Sequence, residues 1–520
     1  MSENRARHED HGIGLELIDE SKFIADTTVD HDRQEKVQQA QAKGVGYWIV
    51  AVFALALLAE QSTFDYLLYN PILGQLAAAY HTSDVIWVMT TVLLGGAVTI
   101  PLFSKLADVY GKKRTLLLAS VVTMVGCLVC AVAPTFPVLL AGRALMSAGA
   151  GTALFCALVV REVFPVRSRA VALALMVNGA GLMIVGGPLL GGWLVGQWGV
   201  SAPFWFQLAV CAVSTILAAA LIPESPLRVR ARVDYVGALL LAAGTFCLLF
   251  GLGQVPASGW TSLSVGMTLA GVVLLAVWIA QLRRVREPLI NFRLLAIRPV
   301  LLPTLSKSLL NATVVAVNVL IVLLWSTPHS VAPYGRGLTP LGVAIWSIPF
   351  AVLTVGGGIA VGLTVRSIGY RTHMIVSAVC WAAVCLLLAF NLTASTGAMI
   401  AIYALGGLGS MFLTASVSLV LLASPADQRG IANGVSTSVA SIFSAVGQVL
   451  VFAVVSAGVL QVVGGVAVFT AHAYQIAFLV CGAFAVLGLA TALAIPHGRR
   501  QPRSEGSAAL TGVPTVDAAG

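Results

Sequence analysis

Residues 104–114 read Ser-Lys-Leu-Ala-Asp-Val-Tyr-Gly-Lys-Lys-Arg ("SKLADVYGKKR") and sit between two apolar runs, 86–107 and 115–133. Three consecutive bases after a glycine make a short polar turn that cannot enter hydrocarbon. A run of about 20 apolar residues, wound as helix, crosses a ~30 Å bilayer core. The same alternation of long apolar run and short basic turn continues along the chain and gives about fourteen runs, the first at 47–69 and the last at 472–496. Over 520 residues with 58% hydrophobic and only 10% charged positions, this excludes a soluble protein. The runs are also too long and too evenly apolar for the ten-residue alternation of a membrane barrel. The fold class expected is therefore an all-α polytopic membrane protein.

Lys and Arg concentrate in every second connection, before the third, fifth, seventh, ninth, eleventh and thirteenth runs and after the last. Basic short loops stay in the cytoplasm, so both termini are expected there, in a multi-pass protein of the cytoplasmic membrane. The first 46 residues are polar and lack the pattern of a cleaved signal peptide. The net charge of +9 is accounted for by loops that face anionic lipid, so no nucleic-acid partner is inferred. All eight cysteines fall within apolar runs, and Cys127-x-x-Cys130 has no second ligand pair, so packing is expected rather than metal binding. With no HExxH, P-loop or nucleotide-binding glycine pattern in a suitable context, neither an enzyme nor a cofactor is expected.

Two loops have echoes about 260 residues apart. "FPVRSRAVALA" (164–174) is answered by "SPADQRGIANG" (424–434), and "LADVYGKKR" (106–114) by "TVRSIGYRT" (364–372), with Gly111 opposite Gly369. The chain then divides into a polar segment 1–46, a six-helix half 47–222, a linker 223–299 with two extra runs (235–254 and 263–282), a second six-helix half 300–496, and a tail 497–520. Such repeats usually build a transporter with its site between the halves near mid-membrane.

On the residues quoted, the chain resembles the major facilitator superfamily. Leu106, Ala107, Asp108, Gly111, Lys112 and Lys113, followed by Arg114, resemble its motif A, with Ser104 in place of the opening glycine. The resemblance implies a loop that latches the two halves together in the outward-facing state. In the fourth run, "LAGRALMSAGAG" (140–151) is similar to motif B, with Met146-Ser147 where the family has Gln-Gly; it implies a link between Arg143 and proton transfer. Read from its chemistry alone, a buried Arg143 can equally be a structural base on helix carbonyls. In the fifth run, Gly187-Pro188 and Gly191-Gly192 resemble motif C, the antiporter signature, although Met183 stands at an expected glycine. Fourteen runs with the extra pair in the middle resemble the fourteen-helix drug:proton antiporters of that superfamily.

The first run carries two acids, Glu60 and Asp65. A carboxylate within a helix at mid-membrane costs about 2.5–3.5 kcal/mol and is tolerated when protonated or facing a cavity. Glu60 lies near the centre of the run as read, and Asp65 about 7 Å nearer its outer end. Members of the resembling branch place an Asp nine residues before a proline that closes the helix. Counted from Pro71 that position is Ser62, with Asp65 about 60° and Glu60 about 160° away around the helix. Depth ranks Glu60 first and angle favours Asp65. Lys307, about 10 Å into the ninth run, either snorkels to the interface or serves the cavity, for instance by contacting an anionic group. Asn178, Asn311, Asn318, Gln207 and Gln448 are further polar residues within runs, each able to bond substrate or another helix.

The expected activity is proton-coupled efflux of amphipathic or cationic small molecules by a monomer in the lipid bilayer, with Glu60, Asp65 and Arg143 coupling protons. Alternatives are transport of a specific endogenous metabolite, lipid or siderophore, and a sensor or scaffold that moves nothing.

Overall fold

The computed structural model describes residues 27–29, 31–82, 84–225, 227–229, 234–258, 260–282, 285, 297–424, 429–463, 466–496 and 498. Residues 1–26 and 499–520, and the bases Arg230, Arg232, Arg283, Arg284, Arg286 and Arg293, lie outside the described residues. Among the described residues, thirteen helices are long and apolar enough to cross a membrane: span 1 Gly46–Ala79, span 2 Trp87–Tyr110, span 3 Lys112–Ala131, span 4 Phe136–Val160, span 6 Ala202–Leu221, span 7 Tyr235–Val255, span 8 Ser262–Leu282, span 9 Arg298–Ser326, span 10 Ile348–Ile368, span 11 Tyr370–Phe390, span 12 Thr396–Ala423, span 13 Ala432–Ser456 and span 14 Ala471–Leu493. A 33-residue helix, Val166–Trp198, lies between the fourth and sixth and is span 5. Helices suit these segments because each keeps its backbone hydrogen bonds within itself, leaving none for lipid to satisfy. Successive spans reverse direction, so the connections at 111, 164–165, 222–234 and 369 share one end. We call this the basic end.

The internal repeat is visible in local geometry. Span 2 stops at Gly111 (φ 108°) and span 10 at Gly369 (φ 80°), each in a backbone region that favours glycine, and the next helix starts at once. Spans 4 and 12 are both interrupted by a 3-10 turn, at Ser147–Gly151 and Gly409–Met411, again about 260 residues apart.

Two expectations on span limits are corrected. Span 1 does not end at residue 69, nor does Pro71 close it. The chain bends at Glu60, continues as Gln61–Leu67, passes a 3-10 turn at Asn70–Ile72 and ends as Leu73–Ala79. Proline is accepted because it enters at the start of a new turn, where its missing N–H is not needed. Span 13 stops at Ser456 rather than 463. Val459–Val463 (β3) and Val466–Phe469 (β4) form an antiparallel hairpin instead, as β-branched runs flanking Gly464-Gly465 favour.

The stretch before span 1 also has structure. Thr27–Val29 (β1) pairs antiparallel with Leu227–Val229 (β2) in the linker. Helix His31–Gln41 follows and buries Val37 and Ala40 in a cluster with Trp48 and Phe164. Spans 1, 3, 4 and 6 pack on one another in the first half, and spans 9, 11, 13 and 14 in the second. The halves meet where span 2 lies along span 13, where span 5 meets a short helix, Pro340–Trp346, and span 10, and where span 1 meets span 9. Spans 7 and 8 pair with each other, and span 7 packs on spans 2 and 13.

Candidate functional site

Extending span 1 to Ala79 moves its middle to about residue 62, between the two acids. Asp65 is not near an outer end, as its position in the shorter run implied; it is 1% exposed and closely enclosed. Gln207 of span 6 donates to its Oδ1 at 2.8 Å, while its Oδ2 has no partner and lies toward Thr123 and Gly149. A Cβ on Gly149 would sit 3.4 Å from Oδ2 and 3.0 Å from the Thr123 hydroxyl, so the 3-10 turn in span 4 brings bare backbone up to the acid. The turn is held by Thr99, whose hydroxyl donates to the Ser147 carbonyl at 2.7 Å.

Arg143 is fully buried beside it. Its Nη2 donates to the main-chain carbonyl of Asp65 at 2.7 Å and its Nε to that of Val88 at 3.0 Å. The guanidinium also lies over the Tyr69 ring, 4.4 Å from the centroid. Tyr69 in turn donates to Gln207 Oε1 at 2.7 Å, which turns the amide so that its NH2 faces Asp65. A desolvated base is tolerated here because helix carbonyls and an aromatic face replace water. Arg143 therefore fixes the spacing of spans 1, 2 and 4 around the acid, which is the structural arrangement its chemistry allowed.

Glu60, at the bend, is 5% exposed, and its Oε2 has no partner. The adjacent Gln61 is completely buried with neither amide atom bonded. Lys307 does not snorkel: it is 7% exposed and its Nζ donates sideways to Thr437 Oγ1 of span 13 at 3.1 Å. Of the other polar residues, Asn311 donates to Ser444, Asn318 accepts from Tyr403, and Gln448 accepts from Thr90 across the two halves. The side chain of Asn178 lies outside those described.

The loop at 104–114 is anchored by residues that the sequence did not single out. Glu224, just after span 6, accepts from the main-chain N–H groups of Lys113 (2.9 Å) and Arg114 (3.1 Å), so an anion sits on the N-terminus of span 3. Lys113 Nζ donates to the Ala219 carbonyl at 2.7 Å. Lys112 pairs with Glu162 at the end of span 4, which also accepts from Ser225. Glu162 and Ala219 belong to the first half, and Glu224 to the start of the linker that follows it. The carboxylate on the helix end is Glu224. Acids at span ends carry no periodic signal, which is why they were missed.

Three glycines of span 5, Gly187, Gly191 and Gly192, meet backbone or a close side chain. A Cβ at Gly187 would lie 3.0 Å from Leu67 Cβ, and one at Gly191 would lie 2.2 Å from the Leu68 carbonyl oxygen. One at Gly192 would lie 2.7 Å from Leu341 N, in the second half. Span 5 thus touches the acid-bearing span 1 and the opposite half at the end remote from the basic loops. Pro188 continues within the helix one residue after Gly187.

The model of the Major Facilitator Superfamily matches residues 55–362. The multidrug resistance protein Stp of Mycobacterium tuberculosis is 27% identical over 375 residues, which are 71% of this chain and 68% of that protein. A multidrug resistance protein B homolog of Mycobacterium tuberculosis is 32% identical over 234 residues, 44% of this chain and 43% of the relative. Among solved structures, the peptide transporter POT in complex with sulfate superposes with a TM-score of 0.61 at 15% identity, covering 89% of this chain and 97% of that one. That likeness bears on fold alone. With a matching family model over more than half its length, the chain is a transporter of the Major Facilitator Superfamily.

Proposed function

We propose that the chain is a proton-coupled antiporter that exports amphipathic or cationic small molecules across the cytoplasmic membrane, with both termini in the cytoplasm, acting as a monomer. The observation that carries this reading is Asp65: a carboxyl buried at the middle of span 1, with one oxygen held by Gln207 and the other free to carry a proton. Protonation removes the charge that burial disfavours, and deprotonation leaves a carboxylate facing a fixed guanidinium. The exchange of a proton for a substrate cation at or near one acid couples the two flows. Asp65 is the better carrier of the two acids, because the depth argument for Glu60 depended on a shorter span 1; Glu60 then serves substrate or a second proton. Exchange of one proton for one monovalent cation moves no net charge, so the pH difference drives it, at about tenfold per pH unit; for a substrate without net charge the membrane potential adds about 2.3 kcal/mol per 100 mV. The direction, efflux, is supported by the likeness of Gly187-Pro188-x-x-Gly191-Gly192 to motif C and by relatives named for multidrug resistance.

The test is proton release from acid-loaded inverted vesicles on adding a panel of lipophilic cations, comparing the wild type with Asp65→Asn and Glu60→Gln at equal protein. Loss of release in Asp65→Asn with partial retention in Glu60→Gln is expected. Silence of the wild type across the panel would count against export of such compounds.

A further inference from the structure

We propose that Lys307 is the anion-binding part of the substrate site, so that the transported compounds include zwitterionic amphipaths bearing a carboxylate or a similar anionic group. This rests on the transport reading above and adds a substrate class to it.

Lys307 is an ammonium with three donors, and the partner described for it is a single neutral hydroxyl, Thr437 Oγ1 at 3.1 Å. Thr437 gives its own proton to the Asn433 carbonyl at 2.9 Å, so its oxygen can only accept from Lys307. One turn away, Asn433 Oδ1 is buried without a partner. Thr304 with Ser436 (3.1 Å) and Asn311 with Ser444 (2.7 Å) continue the polar seam between spans 9 and 13 on either side. A buried base at this depth, flanked by hydroxyls and amides, is an incomplete ion pair.

The missing anion does not come from the same half. Between residues 300 and 496 the sequence contains one acid, Asp427, which lies in the connection before span 13 and outside the described residues. Acids within spans at mid-membrane belong to the first half, Glu60 and Asp65. Two contacts fix the relative heights: Tyr66 donates to the Val315 carbonyl at 3.2 Å, and a Cβ on Gly74 would touch Ser326 at 3.8 Å. At 1.5 Å per residue these put Lys307 about 3–7 Å nearer the basic end than Glu60, one turn or so of helix. The two are not joined to each other, since Glu60 Oε2 is unpartnered and Lys307 turns to Thr437. The halves thus carry opposite charges at similar depth, Glu60 in one and the ammonium of Lys307 in the other. A molecule with a cationic and an anionic group complements both, and its anion supplies the partner that Lys307 lacks.

The experiment uses the purified full chain and two dyes that differ by one methyl ester: rhodamine 110, whose free carboxylate makes it zwitterionic at neutral pH, and rhodamine 123, its cationic methyl ester. Affinities are read by fluorescence polarisation for wild type, Lys307→Gln and Lys307→Arg, with melting temperature as the check on folding. The readout is the ratio of the two affinities within each variant, which general damage to the fold would not bias toward one dye. The wild type should prefer rhodamine 110 by about tenfold, the ratio should fall to about one in Lys307→Gln, and Lys307→Arg should keep most of it. An equal preference in wild type and Lys307→Gln, or none in wild type, overturns the proposal. Dye-driven proton release in vesicles separates it from the export reading. A Lys307-dependent preference with no release leaves the anion site standing and sinks export; release of either dye without the preference does the reverse.

Discussion

Replacing Gly192 by alanine tests whether span 5 seals the end of the molecule remote from the basic loops. The new Cβ would lie 2.7 Å from Leu341 N, 2.8 Å from its Cα and 2.9 Å from the Pro340 carbonyl carbon. All three are backbone atoms, about 0.7 Å inside ordinary contact at the worst, so no side-chain rotation relieves the clash. Overpacking of this kind costs roughly 1–3 kcal/mol, and the cost falls only on the arrangement in which span 5 and the short helix Pro340–Trp346 are closed at this end. The population of that arrangement should therefore fall about 5- to 150-fold relative to any in which the halves part there. Distances between spin labels at the exposed positions Gln197 and Asn391, read by double electron–electron resonance, should shift to longer values. Gly196→Ala, one turn further along the same helix with nothing within 4 Å of its Cβ, should leave them as they were. If Gly192→Ala gives the distance distribution of the wild type, the close approach does not govern closure.

Gln207→Leu should remove the donor to Asp65 and the acceptor of Tyr69 together, leaving buried polar atoms unsatisfied at about 1–3 kcal/mol each; a melting temperature in detergent several degrees lower checks it. Gly111→Ala should destabilise by more than about 1 kcal/mol, because φ is 108° and the Cβ would meet Glu224 Oε1 at 2.7 Å, and Glu224→Ala in the same background should recover part of the loss. Glu224→Gln should cost about 0.3–1 kcal/mol by removing the anion from the start of span 3, and high salt should shrink the difference from wild type. Burial raises the carboxyl of Asp84, in the connection between spans 1 and 2, above its ordinary range. Folding thus favours its protonated form, and that contribution is lost as pH rises through the raised value. Asp84→Asn should accordingly raise the melting temperature more at about pH 8 than at about pH 4.

The sequence made the spans and the repeat legible because both depend on composition over 20 residues, and the basic loops fixed their alternation. It failed where a single contact outweighs composition. Pro71 reads as a helix stop, yet the chain restarts its hydrogen bonding in a 3-10 turn and span 1 runs ten residues further. Val459–Val463 is as apolar as the helix before it, and only its β-branching and the following glycine pair distinguish it. Within the site, Asp65, Arg143 and Lys307 could be picked out because charge is rare in such runs. Gln207 is one of five polar residues that the sequence singles out within runs and Tyr69 carries no signal, so only their mutual distances show that they orient Asp65.

Span 7 touches both halves at one place. Trp87 of span 2 packs at a tilt against Phe246 and Phe250, and a Cβ on Gly253 would sit 3.2 Å from Trp87 and 3.3 Å from Val449 of span 13. Toward the basic end, Val98, Leu241 and Val435 continue the contact of spans 2, 7 and 13, joined by Trp278 of span 8. Any motion that slides span 2 past span 13 must peel the extra pair from one of them. The pair therefore resists any such motion by the aromatic contact it would have to give up.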